Sequence, residues 1–375
     1  MNTFIKSNLL VSIIIILCQT CFAQSDSTET HQYITARYHK GIVIPHHSSM
    51  LYLLEDYVSG FEISYGRSKF KSDSWEKYFN YPEIGLGFYY GTFGNKEVYG
   101  HGMALFPYIN YKMARTPKFS LQNKVSMGLG YASEPFDLQS NPYNLVSGSH
   151  FHVYVGFALL ADYRINKQFS LALSGAVNHL SNGATQKPNH GINTVSASLG
   201  LKYHFNPALT PITEKIKAPK SKMKEFIAVA SVGTSQAEMG NPKIYWNSSL
   251  SLNHIWHLNA RRGIGLGLDG LYMPIASYIW RPYEEYKEGS EIANAEKWAL
   301  GTFLAYHVYL NKTTLVMNLG TYLYSGVKPP EPLYSRLGVR YNINDHLVAN
   351  FSVKASFFKS EFLEFGIGYR IKYGN

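Results

Sequence analysis

The chain has 375 residues, of which 45% are hydrophobic, 15% aromatic and only 16% charged, with a formal net charge of +10. Disordered tails and coiled coils need more charge and fewer aromatics, so both are excluded. A bundle of membrane helices is excluded too, because the one long apolar run lies at the extreme N-terminus.

That run predicts a secretory signal peptide over residues 1–23. Lys6 supplies the positive start, Leu9 to Leu17 the apolar stretch, and Ala23 the small residue before Gln24. Both cysteines, Cys18 and Cys21, fall inside it, and the preceding Leu17 and Thr20 do not fit a lipoprotein signal. Beyond residue 23 there is no thiol, so neither disulfides nor cysteine catalysis are open to this chain. A basic exported protein meets phosphorylated lipid before any nucleic acid.

From about Tyr33 the chain repeats one pattern: ten to fifteen alternating residues, then a cluster of Gly, Asn, Pro, Ser or Lys. Period two means strands. In Phe169 to Ser181, Phe169, Leu171, Leu173, Gly175 and Val177 form an apolar face. Ser170, Ala172, Ser174, Ala176 and Asn178 form a small or polar one. The last strand repeats this, with Phe365, Ile367, Tyr369, Ile371 and Tyr373 opposite Gly366, Gly368, Arg370 and Lys372. About sixteen such segments occur, each near the ~9–11 tilted residues that span a bilayer. The expected class is therefore all-β, an antiparallel transmembrane β-barrel with both termini in the periplasm. A soluble sandwich explains the alternation equally well, but not the abundance of Tyr at strand ends, which fits interfacial girdles.

The chain also matches itself. Ile84-Gly-Leu-Gly-Phe88 corresponds to Ile264-Gly-Leu-Gly-Leu268, and Tyr163, Ile165, Asn166 and Phe169 to Tyr341, Ile343, Asn344 and Leu347. Gly200 then corresponds to Gly368 at a shorter offset, so the second copy lacks about one loop. Between the copies a Lys- and Pro-rich stretch without alternation reads as a linker. The expected organisation is 24–205 as a first barrel unit, 206–222 as linker and 223–375 as a second, degenerate unit. Two eight-stranded barrels or one of about sixteen strands fit this pattern, and the long linker favours two.

One hairpin carries candidate chemistry. His179 and Ser181 share the apolar face at the end of their strand, and Asn193 lies on the apolar face of the returning strand, with Val195 and Leu199. A serine attacks an ester when a base takes its proton, and histidine suits neutral pH. A third group holds the imidazole in its tautomer. Backbone amides of Asn182, Gly183 and Ala184, just after the serine, are candidates for the oxyanion site. A site on the outward wall would take its substrate directly from the bilayer. The competing assignment is that all three side chains are girdle residues near the headgroups.

His179-Leu-Ser-Asn-Gly183, followed by Lys187-Pro-Asn-His-Gly191, resembles the lipid A 3-O-deacylase (PagL-type) family of outer-membrane esterases, also described as acyloxyacyl hydrolases. The resemblance implies an eight-stranded barrel in a Gram-negative outer membrane with its site on the lipid-facing wall. It further implies His179 as base, Ser181 as nucleophile, and Asn189 and Gly191 as loop residues. Lipid A or lipopolysaccharide would be the substrate, and an ester-linked acyl chain would be released without cofactor or metal. The family usually has Glu where this chain has Asn193. An amide can orient the imidazole but cannot stabilise imidazolium by charge.

In the second copy, Phe357 and Lys359 stand where His179 and Ser181 stand in the first. His46-His47 and His150 with His152 lack the supporting acids of a metal site. Gly263-Ile-Gly-Leu-Gly267 lies in a strand pattern with no helix after it, which argues against a nucleotide loop. The basic linker offers no base-stacking platform for nucleic acid. The leading expectation is a serine esterase acting on lipid A or a related glycolipid. The alternative is a non-catalytic outer-membrane barrel serving as a channel, anchor or surface-binding protein.

Overall fold

The computed structural model describes residues 30–71, 73–206, 216–280, 293–357 and 359–374. The expected signal peptide and much of the expected linker lie outside them.

The alternating segments form sixteen strands in two closed antiparallel barrels. The first contains β1 (Thr30–Val43), β2 (Val58–Lys69), β3 (Glu83–Thr92), β4 (His101–Arg115), β5 (Phe119–Ala132), β6 (Phe151–Arg164), β7 (Phe169–Ser181) and β8 (Ile192–His204). The second contains β9 (Lys224–Gln236), β10 (Ile244–Asn259), β11 (Arg262–Tyr272), β12 (Trp298–Leu310), β13 (Thr313–Ser325), β14 (Leu333–Asn342), β15 (Leu347–Ser356) and β16 (Lys359–Tyr373). β1 pairs with β8 to close the first ring, and β9 with β16 to close the second. Closure leaves no strand edge unpaired, as a lipid environment requires. Of the two arrangements open to the sequence, the chain adopts two small barrels.

Both barrels are inside-out relative to a soluble protein. Leu173, Val177, Leu199 and Leu201 are exposed on the outer wall of the first, and Leu250, Leu266, Phe365 and Ile367 on that of the second. Charged side chains fill the interiors instead. Glu62 accepts hydrogen bonds from Lys124 Nζ (2.7 Å) and Arg37 Nη1 (3.3 Å), and Lys202 Nζ bridges Glu83 (3.0 Å) and Asp162 (2.8 Å). In the second barrel Arg336 joins Glu364 (2.6 Å) to Asp269 (2.9 Å), and Lys354 pairs with Glu361. Buried ions of this kind need such partners, because the penalty of desolvating a lone one is several kcal/mol.

Two further features position the site. The upper rim of the first barrel, where β7 gives way to residues 182–191, is closed from within by an apolar plug that includes Met50, Phe93, Phe106, Val146, Leu180 and Ile192. The barrels also touch at both rims. On the lower one, Arg261 Nη1 donates to Tyr78 O (2.6 Å), with the guanidinium over the Phe79 ring.

Candidate active site

Strand alternation places the site. Leu180 and Ile192 point inward into the plug, so their neighbours His179, Ser181 and Asn193 point outward. β7 and β8 pair in the register that sets His179 directly opposite Asn193. The three side chains meet there, each partly buried at the rim of the lipid-facing wall.

Their hydrogen bonds form a line. His179 Nε2 lies 2.9 Å from Ser181 Oγ, and His179 Nδ1 lies 2.7 Å from Asn193 Oδ1. Asn193 Oδ1 accepts only, so Nδ1 carries the imidazole proton and Nε2 is left to accept from the serine hydroxyl. The line continues beyond the expected residues. Asn193 Nδ2 donates to His46 Nδ1 (3.3 Å), and His46 Nε2 donates to His190 O (2.9 Å). His46 therefore turns the asparagine so that its oxygen, not its amide hydrogens, faces His179.

The loop 182–191 is built around the serine. Asn182 is buried, and its side chain donates to Ser149 Oγ (3.0 Å) and Gln186 O (2.9 Å). Its backbone N–H donates to Asn189 Oδ1 (2.9 Å), so this amide is already engaged. The Gly183 and Ala184 amides, the other two oxyanion candidates, have no partner among the described residues. Both residues are left-handed, with φ of 66° and 69°. Gly191, with φ of 76°, lies against the His179 imidazole: a Cβ there would sit 2.8 Å from His179 Cε1, so only glycine lets the loop pass. The Lys187–Pro188 peptide between them is cis.

Sequence pattern brought His179, Ser181 and Asn193 to one wall and the glycines to one loop. It did not find His46, which comes from the β1–β2 connection and bears no spacing relation to the other three. In sequence it stands out only beside His47, as one half of a His-His pair. The His47 and His190 rings are in contact at a tilt of 48°, with centroids 3.9 Å apart. Among the described residues no three His, Cys, Asp or Glu side chains gather as a metal site would need. His152 lies inside the barrel, bonded to Ser147 Oγ (2.8 Å).

In the second barrel this hairpin is reduced to a tight turn: β15 ends at Ser356 and β16 begins at Lys359. Phe357 lies in the turn and Lys359 starts the returning strand, so neither forms a counterpart of the His179–Ser181 pair.

Known proteins give a matching picture. Residues 59–202 match the family model described as lipid A 3-O-deacylase (PagL), and residues 224–373 match that of the acyloxyacyl hydrolase C-terminal domain. Two solved structures similar to this chain are the outer-membrane enzyme PagL and Neisserial surface protein A. PagL is 14% identical with a TM-score of 0.32, covering 44% of this chain and 97% of its own. Neisserial surface protein A is 14% identical with a TM-score of 0.30, covering 47% and 97%. No curated protein matches the chain. With a barrel matched by each of the two models, which together span most of its length, the chain belongs to the PagL family of outer-membrane β-barrel proteins.

Proposed function

We propose that this protein is an outer-membrane serine esterase that removes an ester-linked acyl chain from lipid A or a related acylated glycolipid. The observation that carries the reading is the Ser181–His179–Asn193 line on the outward wall. Family membership supplies the substrate class.

The geometry supports the following reaction. Ser181 Oγ attacks the ester carbonyl while His179 Nε2 takes its proton. The carbonyl oxygen becomes an oxyanion beside the free amides of Gly183 and Ala184. As the tetrahedral intermediate collapses, the C–O bond to the sugar breaks and His179 returns the proton to the departing hydroxyl. Water, deprotonated by the same imidazole, then hydrolyses the acyl-serine and releases the fatty acid. Throughout, Asn193 keeps His179 in its Nδ1–H tautomer. In serine proteases an amide in place of the acid fails mainly because it imposes the wrong tautomer. Here the His46 bond presents the oxygen, which preserves the tautomer and sacrifices only the charge.

Purified protein in detergent, incubated with lipid A and read by mass spectrometry, tests this. Loss of one acyl chain with wild type, and none with Ser181→Ala, is expected. Equal deacylation by both would overturn the mechanism, and deacylation by neither would favour a non-catalytic barrel.

A further inference from the structure

Among the described residues the second barrel has no counterpart of the Ser181–His179–Asn193 line, yet its closing seam is pressed against the loop 182–191 of the first. Gln236, the last residue of β9, grips that loop twice. Its backbone N–H donates to Ala184 O (3.0 Å), and its side-chain Oε1 accepts from Lys187 N–H (2.7 Å). Its Nε2 is held in turn by Asn241 O. On the neighbouring strand, Ser360 Oγ accepts from Asn189 Nδ2 (3.2 Å). The Leu363 side chain fills the space beside Gly183, where an added Cβ would lie 2.4 Å from it.

These contacts fall on the atoms that matter. Asn189 uses its amide group on Ser360 and its oxygen on the Asn182 N–H, so it ties the residue after the nucleophile to the other barrel. Ala184 O is fixed while the Gly183 and Ala184 N–H groups stay free. A non-glycine residue at φ of 69° costs on the order of 1 kcal/mol and persists only where its surroundings hold it. Within its own barrel the loop's holds include Asn182 Nδ2 on Ser149 and the Gly191 N–H on Val146 O (3.0 Å). Neither reaches Gly183 or Ala184. The short β15–β16 turn leaves the loop space to dock.

We propose that the second barrel is a buttress for catalysis, in which Gln236, Ser360 and Leu363 are positioning residues that hold the Gly183–Ala184 amides in place for the oxyanion formed at Ser181. The proposal rests on the esterase reading above. It assigns the second barrel a role in turnover without any contact to the reacting atoms.

The test is steady-state deacylation of lipid A by the full-length protein in detergent micelles. Wild type and Ser181→Ala are assayed first, then Gln236→Ala/Ser360→Ala, Leu363→Ala and Ser360→Thr. Misplacing a group by about 1 Å costs up to ~100-fold. The double variant releases Lys187 and Asn189 while keeping the Gln236 N–H bond to Ala184 O, so it is expected to lose about tenfold in kcat with KM within about twofold, because substrate contacts are untouched. Leu363→Ala should lose less. Ser360→Thr, which keeps the hydroxyl, should recover near-wild-type kcat. Folded barrel is followed in parallel by its heat-modifiable gel mobility. If Ser181→Ala deacylates like wild type, the esterase reading falls and the inference with it. If Ser181→Ala is dead but the double variant has wild-type kcat, the inference alone is overturned. A fall in kcat accompanied by loss of the folded band, or one absent from the double variant's folded fraction, likewise overturns it.

Discussion

The two barrels share a topology and much of their local chemistry, and one of the hairpins at which they differ carries the candidate site. On the lower rim the β6–β7 and β14–β15 turns are built alike. Asn166 Oδ1 accepts from the Gln168 and Phe169 amides (2.9 and 2.8 Å), and Asn344 Oδ1 from the His346 and Leu347 amides (2.8 and 2.7 Å). On the upper rim, β7 continues to Ser181 and opens into a loop, whereas β15 stops at Ser356 and turns back. A closed barrel needs the lower turn, the paired strands and a satisfied interior. It does not need the upper loop. The Ser181–His179–Asn193 line of the first barrel is thus an addition at its rim, and the second barrel closes with a short turn at the corresponding hairpin.

The sharpest way to break that contrast is Ser181→Ala. If the site is catalytic and separate from the scaffold, deacylation should fall by on the order of 10⁴-fold or more, with heat-modifiable mobility unchanged. A variant that misfolds would show instead that the rim residue belongs to the barrel's framework.

Next in size is the prediction that the interiors are equivalent. Glu62→Gln leaves Arg37 and Lys124 without their carboxylate, and Glu361→Gln does the same to Lys354. Breaking a buried pair typically costs about 3–5 kcal/mol, so both variants should unfold at lower urea concentration by similar margins. Only Glu62→Gln lies in the barrel that bears the site. If it alone lowered the midpoint, the two interiors would not be doing the same job.

Gly191→Ala tests how closely the loop is fitted to the imidazole. The new methyl would meet His179 Cε1 at a backbone φ of 76°, so either the ring or the loop must shift. A loss of roughly 10- to 100-fold in kcat is expected, by the same misplacement argument. Asn193→Asp addresses the missing charge. The side chain is isosteric and would stabilise the imidazolium, so kcat should rise by up to about tenfold. Asn193→Glu should move in the same direction if its extra methylene is accommodated. A decrease in both would mean that the Asn193–His46 bond, which the carboxylate alters, matters more than the charge.

The strands, their inward and outward faces and the outward placement of Ser181, His179 and Asn193 were legible because alternation is local and unambiguous. Leu180 between the two polar residues, and Ile192 before the third, fix the sidedness. What escaped the sequence was everything set by contacts between distant segments. His46 joins the line from a connection after β1, and no periodicity links it to β8. Gln236 and Ser360 reach the loop from another barrel, and in sequence they are an ordinary strand end and strand start. Nothing in sequence separates the Asn182 amide from its neighbours, and it is the Asn189 side chain, folded back across the loop, that occupies it.

The smallest expected effect concerns pH and the same loop. Burial holds the His190 imidazole down to about 4, and the neighbouring His47, His46, Lys187 and Lys359 add to this by repelling a proton there. An opened loop would return it to the ordinary value near 6.5. The closed loop therefore binds fewer protons than the open one between these values, so its stability is complete above pH 6.5 and declines as pH falls towards 4. Because His190 is exposed on one side, the decline should be modest. Hydrogen exchange of residues 182–191 is the suitable measurement, since it reads the loop directly. Protection should weaken on acidification in wild type and stay nearly flat in His190→Gln. In the second barrel the corresponding short turn carries no histidine, so its protection should show no such slope, and a matching slope there would assign the effect to the barrels at large rather than to the loop.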